Sequence, residues 1–279
     1  MWIAMIIIII CLSACQSSDN SNKAPNSDSR GGSQAAMKIS VGSYHKDSGC
    51  PNDTVPCARI DLRYFKAEGG PAGVADSVNM RVRNLLLDVL NGAVIDTTLL
   101  VHNKAAKKDI GEAAKVLVKD YEKMKAEAEA DTPLSTLAYE IMCDTMFIEV
   151  LPKFIALGMS NSTYTGGAHP YGFVSLINLN HQTGELITPN DFVKDKKALL
   201  AVAEAKFRQN RQLKPNENLT DAGYFLGEDN AFFLPGNMAL RSNGLQLLYN
   251  PYEIASYAEG IIDFTIPYEQ LGNAIQTDW

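Results

Sequence analysis

Alternating apolar and polar positions define the first predicted element. In residues 58–65, apolar Ile60, Leu62 and Tyr64 alternate with charged side chains. A period of two is typical of a strand with one buried face. A β-prone segment at residues 38–44 precedes it. The pattern therefore predicts two strands at the start of the folded part.

Two longer segments have helical periodicity. From Val74 to Val94, and again from about Lys107 to Ala130, apolar residues recur at spacings of three and four. This spacing places apolar side chains on one face of a helix and leaves charged side chains on the other. Two amphipathic helices are predicted.

Strands dominate the rest of the chain. Apolar runs bounded by turn residues predict strands at 137–148, 152–163, 171–180, 185–188, 232–234 and 262–266. Turn residues at 181–184 and 242–244 predict hairpins, the second spanning 238–250. A helix is predicted over 196–212, and a short one from Asn250 to Gly260. The order predicts an α+β fold, an antiparallel sheet with helices packed on it, in two intimately packed subdomains.

Composition and charge narrow the class of protein. The chain has 279 residues, 46% hydrophobic and 20% charged, which is a globular composition. The net charge of −7 excludes nucleic acid as the main partner, because phosphate binding needs a basic face.

The N-terminal residues predict export. The apolar run at residues 2–14 is too short to span a bilayer and is typical of a signal peptide. It ends in Leu-Ser-Ala-Cys at 12–15, which resembles a bacterial lipobox, so Cys15 is the predicted lipidation site and membrane anchor. Gln16 rather than Asp follows, which favours the outer membrane over the inner one. An uncleaved N-terminal anchor is the alternative interpretation.

The predicted organisation has four parts. Residues 1–15 form the signal peptide and residues 16–36, which are almost free of apolar side chains, form a flexible tether. An N-terminal α+β part follows at 37–163, and a C-terminal part at 164–279. Cys50 and Cys57 flank a turn-rich loop, which predicts a local disulfide in an oxidising compartment, with two free thiols as the alternative. Cys143 lies in an apolar stretch and is predicted to be a buried core residue.

No catalytic motif is present in the sequence. The four histidines, His45, His102, His169 and His181, have no metal-ligand spacing, and there is no phosphate-binding glycine loop or nucleophile elbow. We therefore assign no catalytic residue, metal or cofactor, although carboxylates distant in sequence could converge.

One loop is a candidate binding segment. Tyr164-Thr-Gly-Gly-Ala-His-Pro170 lies between two predicted strands, and its two glycines permit a left-handed backbone. One interpretation is a tight connection in which His169 hydrogen-bonds within the loop. The other is a binding loop carrying Tyr164, Gly166, Gly167 and His169.

Several motifs resemble a known family. They are Tyr-Thr-Gly-Gly-Ala-His-Pro at 164–170, Ile-Asn-Leu-Asn-His-Gln-Thr-Gly at 177–184, Asn-Pro-Tyr-Glu-Ile-Ala-Ser-Tyr-Ala-Glu-Gly at 250–260 and Ile-Pro-Tyr-Glu-Gln-Leu at 266–271. Over residues 164–271 they resemble the extracytoplasmic domain of RsiV-type anti-sigma factors, also found in PdaC-type peptidoglycan deacetylases. Residues 38–163 resemble the region that precedes it in those families.

The resemblance implies a binding role outside the cytoplasm. RsiV-type proteins bind lysozyme, but this chain shows no sigma-binding segment and no polysaccharide deacetylase domain. We expect a lipid-anchored, non-enzymatic binding module for a lysozyme-like enzyme or a peptidoglycan fragment, at the outer membrane facing the periplasm or surface. The alternatives are a cell-wall-active hydrolase and a structural subunit of an envelope assembly.

Overall fold

The structure is a computed structural model that describes residues 36–52, 55–129, 131–133 and 136–276. The predicted signal peptide, the lipidation site Cys15 and nearly all of the predicted tether lie outside these residues. Residues 34–279 form one compact unit. No helix within the described ranges has the length and apolar character needed to cross a membrane.

The described residues form two sheets and six α-helices. The first sheet contains β1 (Lys38–Asp47), β2 (Ala58–Glu68), β3 (Tyr139–Val150), β4 (Phe154–Tyr164), β5 (Tyr171–Asn180) and β6 (Leu186–Ile187). The second contains β7 (Asn237–Arg241), β8 (Gly244–Tyr249) and β9 (Ile262–Pro267). The helices are α1 (Val74–Gly92), α2 (Thr98–His102), α3 (Ile110–Glu127), α4 (Pro189–Phe192), α5 (Lys196–Asn210) and α6 (Tyr268–Leu271). The predicted α+β class is confirmed.

Strand order in both sheets follows the chain, and one pair departs from the predicted antiparallel arrangement. β2 and β3 are parallel, with Ile60 opposite Ile141, while every other pair in the two sheets is antiparallel. The reason is the long helical connection through α1, α2 and α3, which returns the chain to the end of the sheet where β2 began. The predicted boundary between the N-terminal and C-terminal parts, at residues 163–164, falls at the end of β4. β4 pairs with β5, so the same sheet continues across this boundary.

Two hydrophobic cores lie on opposite faces of the six-stranded sheet. Along β4, Ile155, Leu157 and Met159 belong to the core under α1 and α3. The alternating residues Phe154 and Ala156 belong to the core that contains α5 and the second sheet. A strand places successive side chains on opposite faces. β4 therefore contributes side chains to both cores, and its sequence is a nearly continuous run of apolar residues.

Asparagine side chains join the two sheets. The amide of Asn178 donates to the carbonyl of Met238 and accepts from the amide N–H of Leu240, each at 2.8 Å. Asn237 and Asn250 both bond the backbone of Val174, and Asn237 also accepts from Leu176. These side chains satisfy backbone groups of β5 beyond its short pairing with β6.

An ion pair makes a second connection between the sheets. The guanidinium of Arg241 on β7 donates through Nε and Nη2 to one carboxylate oxygen of Glu149 on β3, at 2.9 and 2.7 Å. It also lies 3.5 Å from the ring centroid of Phe147. Burial opposes ionisation of Glu149, but the hydrogen bonds from Arg241 and Ser242 outweigh it and lower the pKa.

The three cysteines among the described residues occupy the predicted arrangement. Cys50 and Cys57 are joined by a disulfide across 5.5 Å between Cα atoms. The hydroxyl of Tyr121 on α3 donates to the carbonyl of Pro56 at 2.7 Å, which holds this loop on the helix. Cys143 is buried in the first core, and burial raises the pKa of its thiol to about 12.

Two predicted elements are wrong. Residues 232–234 are not a strand: Phe232 packs among the aromatic rings of the second core in irregular backbone. The segment after Asn250 is not a helix, and only Tyr257–Glu259 forms a 3-10 turn. Glu253 does accept from the Asn250 N–H, at 2.9 Å. However, the Asn250 side chain bonds β5 instead of capping a helix, and Tyr252 has a left-handed backbone at φ 68°.

Candidate functional site

A cleft of about 910 Å³ lies between α1 and the side of β4 and β5 that faces it. This volume is within the range of small-molecule sites in proteins. One wall is a face of α1, the floor is formed by β4 and β5, and one end is the loop between these strands. The helix, the two strands and the loop belong to the same compact unit, and residues of each line the cleft.

The α1 wall is polar at its rim. Arg81, Asn84, Leu85 and Asp88 line the cleft, and their spacing of three and four places them on one helix face. The neighbouring face carries the buried residues Val78, Val82 and Leu86, which belong to the first core. From Arg81 to Asp88 the helix rises about 10 Å, so the two charges lie near different parts of the cleft.

The floor combines aromatic and hydroxyl side chains. Tyr171, Phe173, Ser175 and Ile177 alternate along β5 and line the cleft. Thr163 on β4 lies opposite Tyr171 in the antiparallel register and also lines it. Rings and aliphatic groups can contact an apolar face of a ligand, while hydroxyl groups can both donate and accept hydrogen bonds.

The candidate loop predicted from sequence forms the end of the cleft. Gly166 and His169 line it, whereas Tyr164 and Gly167 support the loop through a 3.0 Å hydrogen bond from the Tyr164 hydroxyl to the Gly167 carbonyl. Gly166 and Gly167 have φ of 94° and 98°, a region that side chains other than glycine rarely adopt. A Cβ on Gly166 would also lie 3.0 Å from the Thr136 carbonyl oxygen.

His169 is fixed by an aromatic partner from the distant C-terminal part. Its ring stacks on Tyr257 with centroids 3.9 Å apart and planes 23° apart. Its Nδ1 is 2.9 Å from the Pro170 carbonyl, which can only accept, so Nδ1 carries the proton. In the tautomer with its proton on Nδ1, Nε2 is a hydrogen-bond acceptor. Tyr252 continues the row, with its ring centroid 5.6 Å from that of Tyr257.

Two buried polar groups lack hydrogen-bond partners among the described residues, and the first of them lies at the cleft. One is the buried Nε of Arg81. The other is the side-chain amide of Asn161, a residue only 4% exposed. Asn161 lies opposite Phe173 on β5 and two residues before Thr163, on the same face of the sheet. Buried polar groups are usually paired, so both are unusual.

Metal-ligating clusters and thiols of the described residues do not contribute to the cleft. Within the described ranges, no group of three or more His, Cys, Asp or Glu side chains could hold a metal ion. The one free cysteine there, Cys143, lies in the core and does not line the cleft. A wide cleft with an aromatic floor and a polar rim is a typical ligand site.

The sequence analysis identified the loop but missed the α1 wall. Arg81, Asn84 and Asp88 carry a weak signal, since they border the apolar stripe of a predicted helix at spacings of three and four. Nothing in that pattern indicates that β5, about 90 residues later, lies opposite. Only the tertiary structure brings the two together.

Two family models match different segments of the chain, and both segments contain residues at or beside this cleft. A family model described as Deacetylase PdaC matches residues 56–171, and a model of a protein family of unknown function, DUF3298, matches residues 185–269. The α1 wall and His169 lie in the first segment, and Tyr257 lies in the second. The expected resemblance is confirmed, and the PdaC match covers mainly the N-terminal part, where motifs alone were uninformative.

Solved structures of DUF3298 proteins share the fold. A member from Bacteroides fragilis is 19% identical with a TM-score of 0.67, covering 88% of this chain and 95% of that one. A second, from Pseudomonas aeruginosa, is 16% identical with a TM-score of 0.57, covering 87% and 96%. The comparison with curated proteins finds no match. At these identities the structural likeness concerns the fold alone.

Proposed function

We propose that this protein is a non-enzymatic binding module of the cell envelope that holds a peptidoglycan fragment in the cleft along α1. The observation that carries the proposal is the lining of the cleft, where Tyr171 and Phe173 lie beside hydroxyl, amide and charged groups. Sugars present apolar ring faces and hydroxyl edges, and this surface offers a counterpart to each. The volume is sufficient for a disaccharide or a short muropeptide.

The cellular setting supports the same ligand class. The PdaC-type match indicates an extracytoplasmic domain, and the Cys50–Cys57 disulfide is typical of an oxidising compartment. In the proposal, lipidated Cys15 attaches the protein to the outer membrane, where it meets peptidoglycan. Metabolic labelling with a palmitate analogue tests the anchor: the native protein should be labelled, and a Cys15→Ser variant should not.

Saturation-transfer NMR with the fragment Gln34–Trp279, which forms one compact unit, tests the proposed ligand class. A peptidoglycan disaccharide should give transfer signals that cellobiose does not. Asn84→Trp places an indole at an exposed position over the cleft and should abolish them. Arg83→Trp is the matched control, since Arg83 is exposed on α1 but lines a different depression. Equal signals from the two variants would contradict binding in this cleft.

A lysozyme-like protein is the alternative ligand. The net charge of −7 favours association with a basic partner. Calorimetric titration with a c-type lysozyme at low and moderate salt separates the two ideas. Binding that weakens with salt and persists in Asn84→Trp would favour a protein partner at another surface. Absence of heat at both salt concentrations would remove lysozyme from consideration.

A further inference from the structure

Arg81 differs from most arginines in the described part of the chain by lacking a partner, and from Arg83, which also lacks one but is exposed, by its burial. Arg63, Arg208, Arg211 and Arg241 each pair with a carboxylate. Arg81 forms no ion pair or hydrogen bond with any residue that the structure describes, although it is half-buried and its Nε is out of contact with solvent. The buried Nε–H therefore lacks the acceptor that it would have in water.

The cleft supplies space next to this unpaired group. Arg81 lies on the α1 wall, and Asp88 lies about 10 Å farther along the same face. Among the described residues, no other Lys, Arg, Asp or Glu side chain lines the cleft. Asp88 repels anions at its end and accepts hydrogen bonds from hydroxyl groups. An anionic group of a ligand is therefore favoured at Arg81.

Resting on the proposed function, we infer that Arg81 determines specificity by selecting saccharides that carry a carboxylate over neutral ones. A carboxylate accepts two parallel N–H bonds from a guanidinium, and the two terminal Nη groups can supply such a pair. Muramic acid has such a group on its lactyl ether, whereas oligomers of N-acetylglucosamine have none. The carboxylates of a stem peptide offer the same chemistry from a different part of peptidoglycan.

Calorimetric titration of the fragment Gln34–Trp279 with three probes tests the inference. The probes are the disaccharide of N-acetylglucosamine and N-acetylmuramic acid, the corresponding muropeptide, in which the lactyl carboxyl is an amide, and neutral chitobiose. We expect the wild type to bind the acidic disaccharide about tenfold more tightly than chitobiose. Preference for the muropeptide over the acidic disaccharide would instead assign the carboxylate to the peptide.

Variants assign the preference to one side chain. Arg81→Gln should lose the preference and bind chitobiose within about twofold of the wild type, and Arg81→Lys should retain part of it. Arg83→Gln removes the same charge from exposed α1 surface and should keep the preference intact. Thermal unfolding of each variant confirms that it folds.

The outcomes separate this inference from the proposed function. Binding of all three probes with equal affinity, or an equal loss for all probes in Arg81→Gln, would overturn the role of Arg81 alone. Failure of the folded wild type to bind any probe would overturn the saccharide function and the inference together.

Discussion

His169 and Tyr257 stack ring on ring at the end of the cleft, with centroids 3.9 Å apart, and both donate hydrogen bonds to the carbonyl oxygen of Pro170. His169 lies in the PdaC-like segment and Tyr257 in the DUF3298 segment. The contact therefore joins the two matched segments beside the candidate site. It makes the position of the loop dependent on the C-terminal part of the fold.

Removal of the stacking partner should weaken both the fold and ligand binding. Tyr257→Leu eliminates the ring contact and the 2.6 Å hydrogen bond to Pro170. We expect a loss of about 1–2 kcal/mol in the free energy of unfolding and a severalfold loss of affinity for the peptidoglycan disaccharide. Tyr257→Phe keeps the ring and should retain most of the affinity. Denaturant unfolding and calorimetry measure the two effects.

Substitution of His169 tests whether the protein is a binding module or a hydrolase. The His169 side chain is exposed and stacks on Tyr257, so His169→Ala should cost no more than the about 1–2 kcal/mol expected for Tyr257→Leu. Incubated with purified peptidoglycan, wild type and variant should both release no soluble fragments, as measured by mass spectrometry. Release by the wild type that disappears in the variant would establish the hydrolase alternative. A large loss of stability would instead make His169 part of the structural support.

The ion pair between the sheets should contribute to stability. Arg241→Met breaks the bonds to Glu149 and leaves that half-buried carboxylate without its guanidinium, so we expect a loss of about 2–3 kcal/mol in the free energy of unfolding. Arg63→Met is the matched control, because the pair of Arg63 with Asp144 is exposed and should contribute less than about 1 kcal/mol. Equal losses in urea unfolding would contradict a special role for Arg241.

The carboxylate of Asp96 should contribute to acid sensitivity. Hydrogen bonds from Lys123 and then from Thr98 lower its pKa from the usual 3.8 to about 2. Since the folded pKa lies below the unfolded one, the ionised group stabilises the protein above about pH 4, and this contribution disappears between about pH 4 and 2. Asp96→Asn should therefore be less stable than the wild type at pH 7, with the two converging near pH 2 in urea titrations. Asp221→Asn removes the same charge from an exposed site and is the control for the loss of a carboxylate.

The local elements were largely determined by sequence. Strand β5 has its predicted bounds of 171 and 180, and α1 begins at the predicted Val74. The hairpin about Ser242 and Asn243 forms as expected. Hydrophobic periodicity and turn residues act over a few positions, so their effect on the backbone is visible without knowledge of the fold. The Cys50–Cys57 disulfide also depends on a local loop.

Tertiary contacts decided the rest. The Asn250 side chain, which could have capped a helix, instead accepts a hydrogen bond from the backbone N–H of Val174 on β5, which is 76 positions away in the sequence. The parallel β2–β3 pair, the cleft and the unpaired Arg81 opposite β5 likewise depend on residues distant in sequence. Burial, pairing of backbone groups and the partners of a charge are properties of the packed molecule, because each depends on which surfaces exclude water together. The periodicity of the sequence specified the strands and helices, and their packing created the site.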